Sequence, residues 1–325
     1  LPYDYGLAKR GIPIFTRQLS TTDERDEGLS ASIPTWFRQL PEIHGFPLPE
    51  DGSRQVAGLA GSGVAFTERY VSKTGAYRLT PSLELVAQGV FERVEPSAFV
   101  GLPLDDKTTL PIAFVRSKSG FLYRSAPNGL PSTLLRPLAY REAVPIERVA
   151  SPRSWVKTTD GSFLRRDQVI IIDAPQVVPT WVKENQVWID VSIEQQALVA
   201  YVGKTAKYVT LVSTGIDGLS DPLTSKATKQ GVFSIVSKHV TATMDGQDEE
   251  RAYEMREVPW VQYFSEGYAL HAAYWHDAFG QPKSHGCVNL SPRDARWLFH
   301  FTNPGVPVGW HGRTVQHDAA TVYVH

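Results

Sequence analysis

Apolar residues in this chain come in runs of strand length, and one stretch alone carries a convincing helical repeat. Between residues 64 and 173, short apolar runs such as 77–79, 112–115 and 120–123 are separated by Gly, Pro, Asn and Ser clusters. That is the pattern of strands and turns. Asp160-Gly161, near the middle of residues 155–164, predicts a hairpin with a type I′-compatible turn. Past Pro175 and Pro179 the strand signal sharpens. Residues 187–191 alternate and residues 197–202 follow a polar turn, as in a hairpin; 208–213, 231–238, 267–270 and 321–324 are further strand candidates. The helix begins at Ser291. Ser291 and Asp294 have capping-box spacing, Pro292 suits the first helical position, and Ala295, Leu298 and Phe299 recur at helical spacing. The predicted fold class is mainly β, ending in a mixed β-sandwich with one short helix.

A length of 325 residues favours two or three compact units. The expected division is an irregular N-terminal arm over 1–63, a β-rich accessory region over 64–180 with the pattern of an SH3-like barrel, and a domain over 181–325. Pro34, Pro41, Pro47 and Pro49 punctuate the arm, and residues 58–63 read as a turn or linker. The latter resemble half a phosphate-binding loop, but no Lys-Ser/Thr pair follows.

Hydrophobic residues make up 42% and charged residues 21%, the balance of a soluble globular protein. A net charge of −1 gives no electrostatic footprint for nucleic acid or an anionic membrane surface. No run approaches the roughly 20 apolar residues of a membrane span, so no transmembrane segment is predicted. The chain starts at Leu1 rather than Met, as a form after processing would, so a signal peptide would not be visible in it. Cys287 is the sole cysteine, which excludes a disulfide framework and a cysteine-rich zinc finger. A lone thiol can also work in an oxidising envelope with no internal partner to trap it.

The chemistry concentrates between Tyr268 and Leu290. His271 ends an apolar strand, and 16 residues later Cys287 follows a polar Gly/Pro loop and precedes the helix. A thiol is nucleophilic as thiolate, and histidine is its usual base or ion-pair partner. Gly286 lets the backbone approach a substrate, and amides around Gly286 and Cys287 could form an oxyanion hole. Lone cysteines are usually small buried hydrophobes and lone histidines structural. Ser284-His285-Gly286-Cys287-Val288-Asn289 is too polar and glycine-containing for core.

That hexapeptide, with His271 upstream, resembles the signature of L,D-transpeptidase (YkuD-type) catalytic domains. The likeness runs from about residue 183 to 325, and 271–290 carries its specific part. Residues 187–202 look like the family's opening hairpin. Residues 224–235, ending in Gly231-Val-Phe-Ser-Ile, are similar to its Pro-Thr-Gly-x-Phe-x-Ile strand without the proline. The resemblance implies an L,D-transpeptidase-like β-sandwich acting on peptidoglycan stem peptides in the periplasm or cell envelope. It implies that Cys287 attacks the diamino-acid carbonyl of a donor tetrapeptide, expels terminal D-alanine and holds an acyl-enzyme. His271 would be the base, oriented by the carbonyl of Ala272. His285 and Gly286 would serve the thiolate or oxyanion, and Ser284 would fix the loop. An amine of another stem, or of an envelope protein, would resolve the thioester. Carbapenem-type β-lactams would acylate the same thiol. No cofactor and no metal are implied. Many members carry arginine where this chain has Asn289, and an amide supplies no positive charge to a substrate carboxylate. Tyr253, Trp260 and Trp275 are candidate cleft residues, with core or lid packing as the alternative for each.

Three other readings stay open. Water as acceptor gives an L,D-carboxypeptidase or related amide hydrolase. A zinc peptidase using His271, His276 and His285 lacks a His-Glu-x-x-His signature and leaves Cys287 without a role. A non-catalytic wall-binding protein leaves both His271 and Cys287 unused. Papain-like peptidases place cysteine before histidine, the reverse of the order here. His276 reads as a loop residue, 213–215 and 217–218 as a turn, and 245–251 as a solvated loop without calcium-ligand spacing.

Overall fold

In a computed structural model, the described residues are 2–8, 14–18, 24–25, 53–56, 62–72, 75–81, 84–87, 91–147, 154–246 and 253–325. Strands dominate them, and the chain divides into two compact units, Leu1–Pro96 with Thr241–Pro259 and Ser97–Val240 with Trp260–His325.

In the first unit, Asp4–Ala8 pairs antiparallel with Gly63–Phe66 and Phe91–Arg93. Ile14–Gln18 lies between Ser53–Val56 and Glu84–Ala87, and a meander continues through Gly75–Leu79 to Glu68–Ser72. The arm expected to be irregular therefore contains strands. Their partners lie between 36 (Arg17 and Ser53) and 87 (Gly6 and Arg93) residues away, so local periodicity carries little of the signal. Residues 58–61 of the predicted linker lie outside the described residues.

The second unit is layered around one sheet. Its order is Leu102–Pro103, β3 (Thr205–Leu211), β2 (Ala197–Val202), β1 (Val187–Ser192), β8 (Thr321–Val324) and β4 (Gly231–Ser234). All neighbours are antiparallel except β1 and β8. One face of this sheet carries Ile189, Val191, Leu198, Ala200 and Val322 into a core shared with Leu270, Val288, Ala295 and Leu298. The other carries Trp188, Val199, Tyr201 and Val209 into a core shared with Ile112, Phe114, Ile172 and Phe279. Burial on both faces explains why β2 is continuously apolar rather than alternating.

Residues 112–172 form a module with its own core of Ala113, Val115, Leu122, Val156, Leu164 and Ile171. A three-stranded sheet (Ala143–Pro145, Ile112–Val115, Val169–Ile172) and a four-stranded sheet (Pro131–Leu138, Gly120–Ser125, Phe163–Arg165, Trp155–Lys157) share it. The hairpin read from Asp160-Gly161 joins Trp155–Lys157 to Phe163–Arg165. Its connection is wider than a two-residue turn: Thr158 N–H donates to the Ser162 carbonyl at 2.9 Å, and Gly161 takes up φ +83°.

The second layer holds β5 (Tyr253–Ser265) from Trp260 onward, β6 (Tyr268–Ala272) and β7 (Val288–Leu290); β5 pairs antiparallel with β6, and β6 parallel with β7. The helix α1 (Pro292–Phe301) follows directly. Ser291 Oγ accepts the Asp294 N–H at 3.2 Å, half of the predicted capping box. The Asp294 carboxylate turns elsewhere, accepting from Gly101 N–H at 2.9 Å, Tyr208 OH at 2.7 Å and Thr210 OH at 2.5 Å. The other end of α1 is closed by buried Lys238, whose Nζ donates to the Phe299 and Thr302 carbonyls at 2.6 and 2.7 Å. Burial lowers that ammonium's pKa to about 8. Ser291 thus caps the N-terminus of α1, strand residue Lys238 closes its C-terminus, and Asp294 ties its first turn to Tyr208 and Thr210 of β3.

Candidate active site

The parallel pairing of β6 with β7 places Leu270 opposite Val288, His271 opposite Asn289 and Ala272 opposite Leu290. Side chains alternate along strands, and register partners share a face. Leu270, Ala272, Val288 and Leu290 all enter the core. His271 and Asn289 therefore lie together on the opposite face, and the same alternation brings Cys287, two residues before Asn289, to that side. The juxtaposition follows from register, not from a flexible loop.

His271 is buried, and its Nδ1 lies 3.1 Å from the Ala272 carbonyl oxygen. An imidazole nitrogen facing a carbonyl must carry the proton, so Nε2 is the nitrogen able to accept one. Burial pushes the His271 pKa down to about 4, with the carbonyl pulling weakly the other way. The Cys287 thiol is pushed up to about 11 by burial, opposed by the Ala269 N–H. The two shifts disfavour the charged form of each group at neutral pH.

The loop bearing Cys287 is clamped to the segment after β3. Lys283 and Ser284 N–H both donate to the Thr214 carbonyl, at 2.9 and 3.0 Å, and Ile216 N–H donates to the Ser284 carbonyl at 2.9 Å. Ser213 and Asn289 exchange backbone hydrogen bonds of 2.9 and 2.8 Å. Thr214 is held in turn by the Gln196 side chain, whose Nε2 donates to its hydroxyl at 2.6 Å. Buried Ser284 donates its hydroxyl to the Cys287 carbonyl and accepts the Gly286 N–H at 3.1 Å, pinning the turn that presents the thiol. Gly286 has φ +125°, and a Cβ there would stand 2.9 Å from Cε1 of Tyr268. Glycine is required on both counts.

The other predicted residues separate. His285 is exposed in the same turn. Trp275 lies beside His271, ring centres 5.7 Å apart. Trp260 packs instead on the helix side, 5.3 Å from Phe299 and 5.6 Å from His300, against the core that faces away from His271. Tyr253 begins β5 in the part belonging to the first unit, and its side chain lies outside the described residues. His276 is no bystander: its Nε2 is 2.9 Å from Nδ2 of Asn289. Residues 213–215, read from sequence as a turn, are the clamp. Tyr268, whose ring packs where a Gly286 side chain would go, is a further neighbour of the thiol; burial and the charge of Cys287 both raise its pKa. Among the described residues, no group of three or more His, Cys, Asp and Glu side chains is placed to hold a metal ion, and no helix is long and apolar enough to cross a membrane.

Residues 186–309 match the family model of the YkuD L,D-transpeptidase catalytic domain. YciB of Bacillus subtilis (strain 168), named as an L,D-transpeptidase, is 27% identical over 144 residues, which take in 36% of this chain and 62% of YciB. The chain thus spans less than two thirds of that relative. Among solved structures, the catalytic domain of an E. faecium L,D-transpeptidase is 23% identical over 43% of this chain and 98% of that one, with a TM-score of 0.33. A C442S mutant of an Enterococcus faecium L,D-transpeptidase is 18% identical over 65% of this chain and 76% of that one, with a TM-score of 0.35.

Proposed function

With residues 186–309 belonging to the YkuD family of L,D-transpeptidase catalytic domains, we propose that this protein is a cell-envelope cysteine acyltransferase that cross-links peptidoglycan stem peptides. The observation that supports the reading is the β6–β7 register, which pairs His271 with Asn289, two residues after Cys287, while the Ala272 carbonyl orients the imidazole.

In the proposed reaction, Cys287 Sγ bonds to the diamino-acid carbonyl carbon of a donor tetrapeptide as its proton passes to Nε2 of His271. The tetrahedral oxyanion is met by backbone N–H groups of the Gly286–Cys287 turn, with His285 at its rim. The C–N bond to the terminal D-alanine breaks, and His271 returns its proton to the departing amine. An acceptor amine, from a second stem peptide or an envelope protein, attacks the thioester and gives a proton to His271. The C–S bond then breaks and the thiol is restored. Ser284 holds the turn, Trp275 walls the base, and the 64–180 region, whose 112–172 module we read as the SH3-like part, acts as an accessory to the 181–325 domain. No cofactor or metal enters these steps.

Incubation with disaccharide-tetrapeptide tests the reading. A cross-linked dimer with release of D-alanine is expected. D-alanine release without a dimer would make the protein an L,D-carboxypeptidase. His271→Ala should slow acylation about 10²–10⁴-fold, and a near-normal rate would remove it from the mechanism.

A further inference from the structure

His276 and Asn289 hold an arrangement whose proton inventory does not close as drawn. Ala278 N–H donates to Nδ1 of His276 at 3.2 Å, so that nitrogen carries a lone pair. Burial, followed by Lys283 and His271, keeps the ring neutral at pH 7, against the weaker opposite pull of Asp277. A neutral imidazole has one N–H, and here it must sit on Nε2. Yet Nε2 faces Nδ2 of Asn289 at 2.9 Å, donor against donor, while Oδ1 of the same amide is buried without a partner. Turning the Asn289 amide by 180° about its last torsion removes the donor clash: Oδ1 accepts from His276 Nε2–H, and the NH₂ group takes the side away from His276. The backbone of Asn289 is held by its paired hydrogen bonds with Ser213.

We infer that His276 is a positioning residue that fixes the Asn289 amide with its NH₂ end toward the face shared by His271 and Cys287. There the amide is a fixed dipole whose positive end stabilises negative charge growing on sulfur and on the acyl oxygen. His276 is itself held: its ring packs on Phe279 at 5.0 Å, and the adjacent Asp277 is paired with Arg141 at 2.6 Å. The inference extends the proposed function by assigning His276 a part in it, but its tests require no peptidoglycan substrate.

The first test is ¹⁵N–¹H long-range NMR of the histidine rings in the wild-type protein. The Nε2-protonated tautomer of His276 is expected; the Nδ1-protonated form would overturn the inference, because the Asn289 NH₂ end would then donate to His276 Nε2. The second is the rate of Cys287 alkylation by iodoacetamide at pH 9, with folding checked by circular dichroism. The charged and titratable groups around the pair, His271, Tyr268, Asp277, Lys283 and Arg141, stay unchanged in each variant. His276→Phe removes the donor and should slow alkylation at least threefold, whereas His276→Gln, which can still donate, should remain within twofold of wild type. Asn289→Asp keeps the acceptor for His276 but replaces the NH₂ end with oxygen, and should slow alkylation at least as much as His276→Phe. If His276→Phe does not fold, Asn289→Asp and the tautomer decide. Wild-type rates in the folded variants would overturn the inference while leaving the acyltransferase reading intact.

Discussion

His271 lies directly across from Asn289 in the parallel register of two neighbouring strands, and the chain reaches Cys287 two residues before Asn289. The spacing of Cys287, His271 and the Asn289 amide is therefore set by the sheet itself. The loop between the strands needs only to return the chain, and its ties to residues 213–216 keep it from drifting. Sites built on regular elements hold their geometry better than sites on loops.

The reactivity of the thiol follows from its raised pKa. With Cys287 pushed up to about 11, alkylation of the free protein should quicken roughly tenfold per pH unit between pH 7 and 10, without a plateau. Stopped-flow alkylation measures this. A plateau reached below pH 7 would show a preformed thiolate and contradict the neutral pair.

Gly286→Ala should leave the fold in place and cut acylation by at least about 100-fold. The added methyl would stand 2.9 Å from the Tyr268 ring on a backbone at φ +125°, so the turn presenting sulfur must shift. Acylation kinetics beside a thermal melt separate a displaced thiol from an unfolded chain.

Asp294→Ala should lower stability by about 3 kcal/mol, because it strands the buried Tyr208 and Thr210 hydroxyls and the Gly101 N–H together. Urea denaturation provides the measurement. A loss under about 1 kcal/mol would mean that these donors find other partners.

Stability should also fall in mild acid. His271 and His276 are each lowered from 6.5 to about 4, so between those values the unfolded chain binds protons that the folded chain refuses. Their contribution is complete above pH 6.5 and is lost as pH falls toward 4, by up to roughly 3 kcal/mol for each. Urea melts at pH 7 and pH 4.5 should show the drop, with a shallower pH slope in His276→Gln. An unchanged slope would mean that His276 titrates alike in both states.

The sequence makes some of this legible and hides the rest for identifiable reasons. The β1–β2 hairpin, the closing strand and α1 announce themselves through alternation, a polar turn and an N-cap serine. Cys287 and His271 stand out because a glycine-bearing polar turn beside an apolar strand is ill suited to core. The His276–Asn289 contact is illegible, since it depends on the path of a loop with no repeat. Trp260 misleads: it sits at φ +58°, which breaks the period-two alternation along β5, so counting along the strand does not give its face. Residues 4–8 and 14–18 look irregular because their strand character comes from distant partners.

The central claim is that the thiol of Cys287 forms an acyl-enzyme. Intact-protein mass spectrometry after incubation with disaccharide-tetrapeptide, wild type beside Cys287→Ala, tests it most directly. The account predicts a covalent adduct of the donor less D-alanine on the wild type and none on the folded variant. An adduct of equal yield on Cys287→Ala, or D-alanine released equally by both proteins, would contradict it.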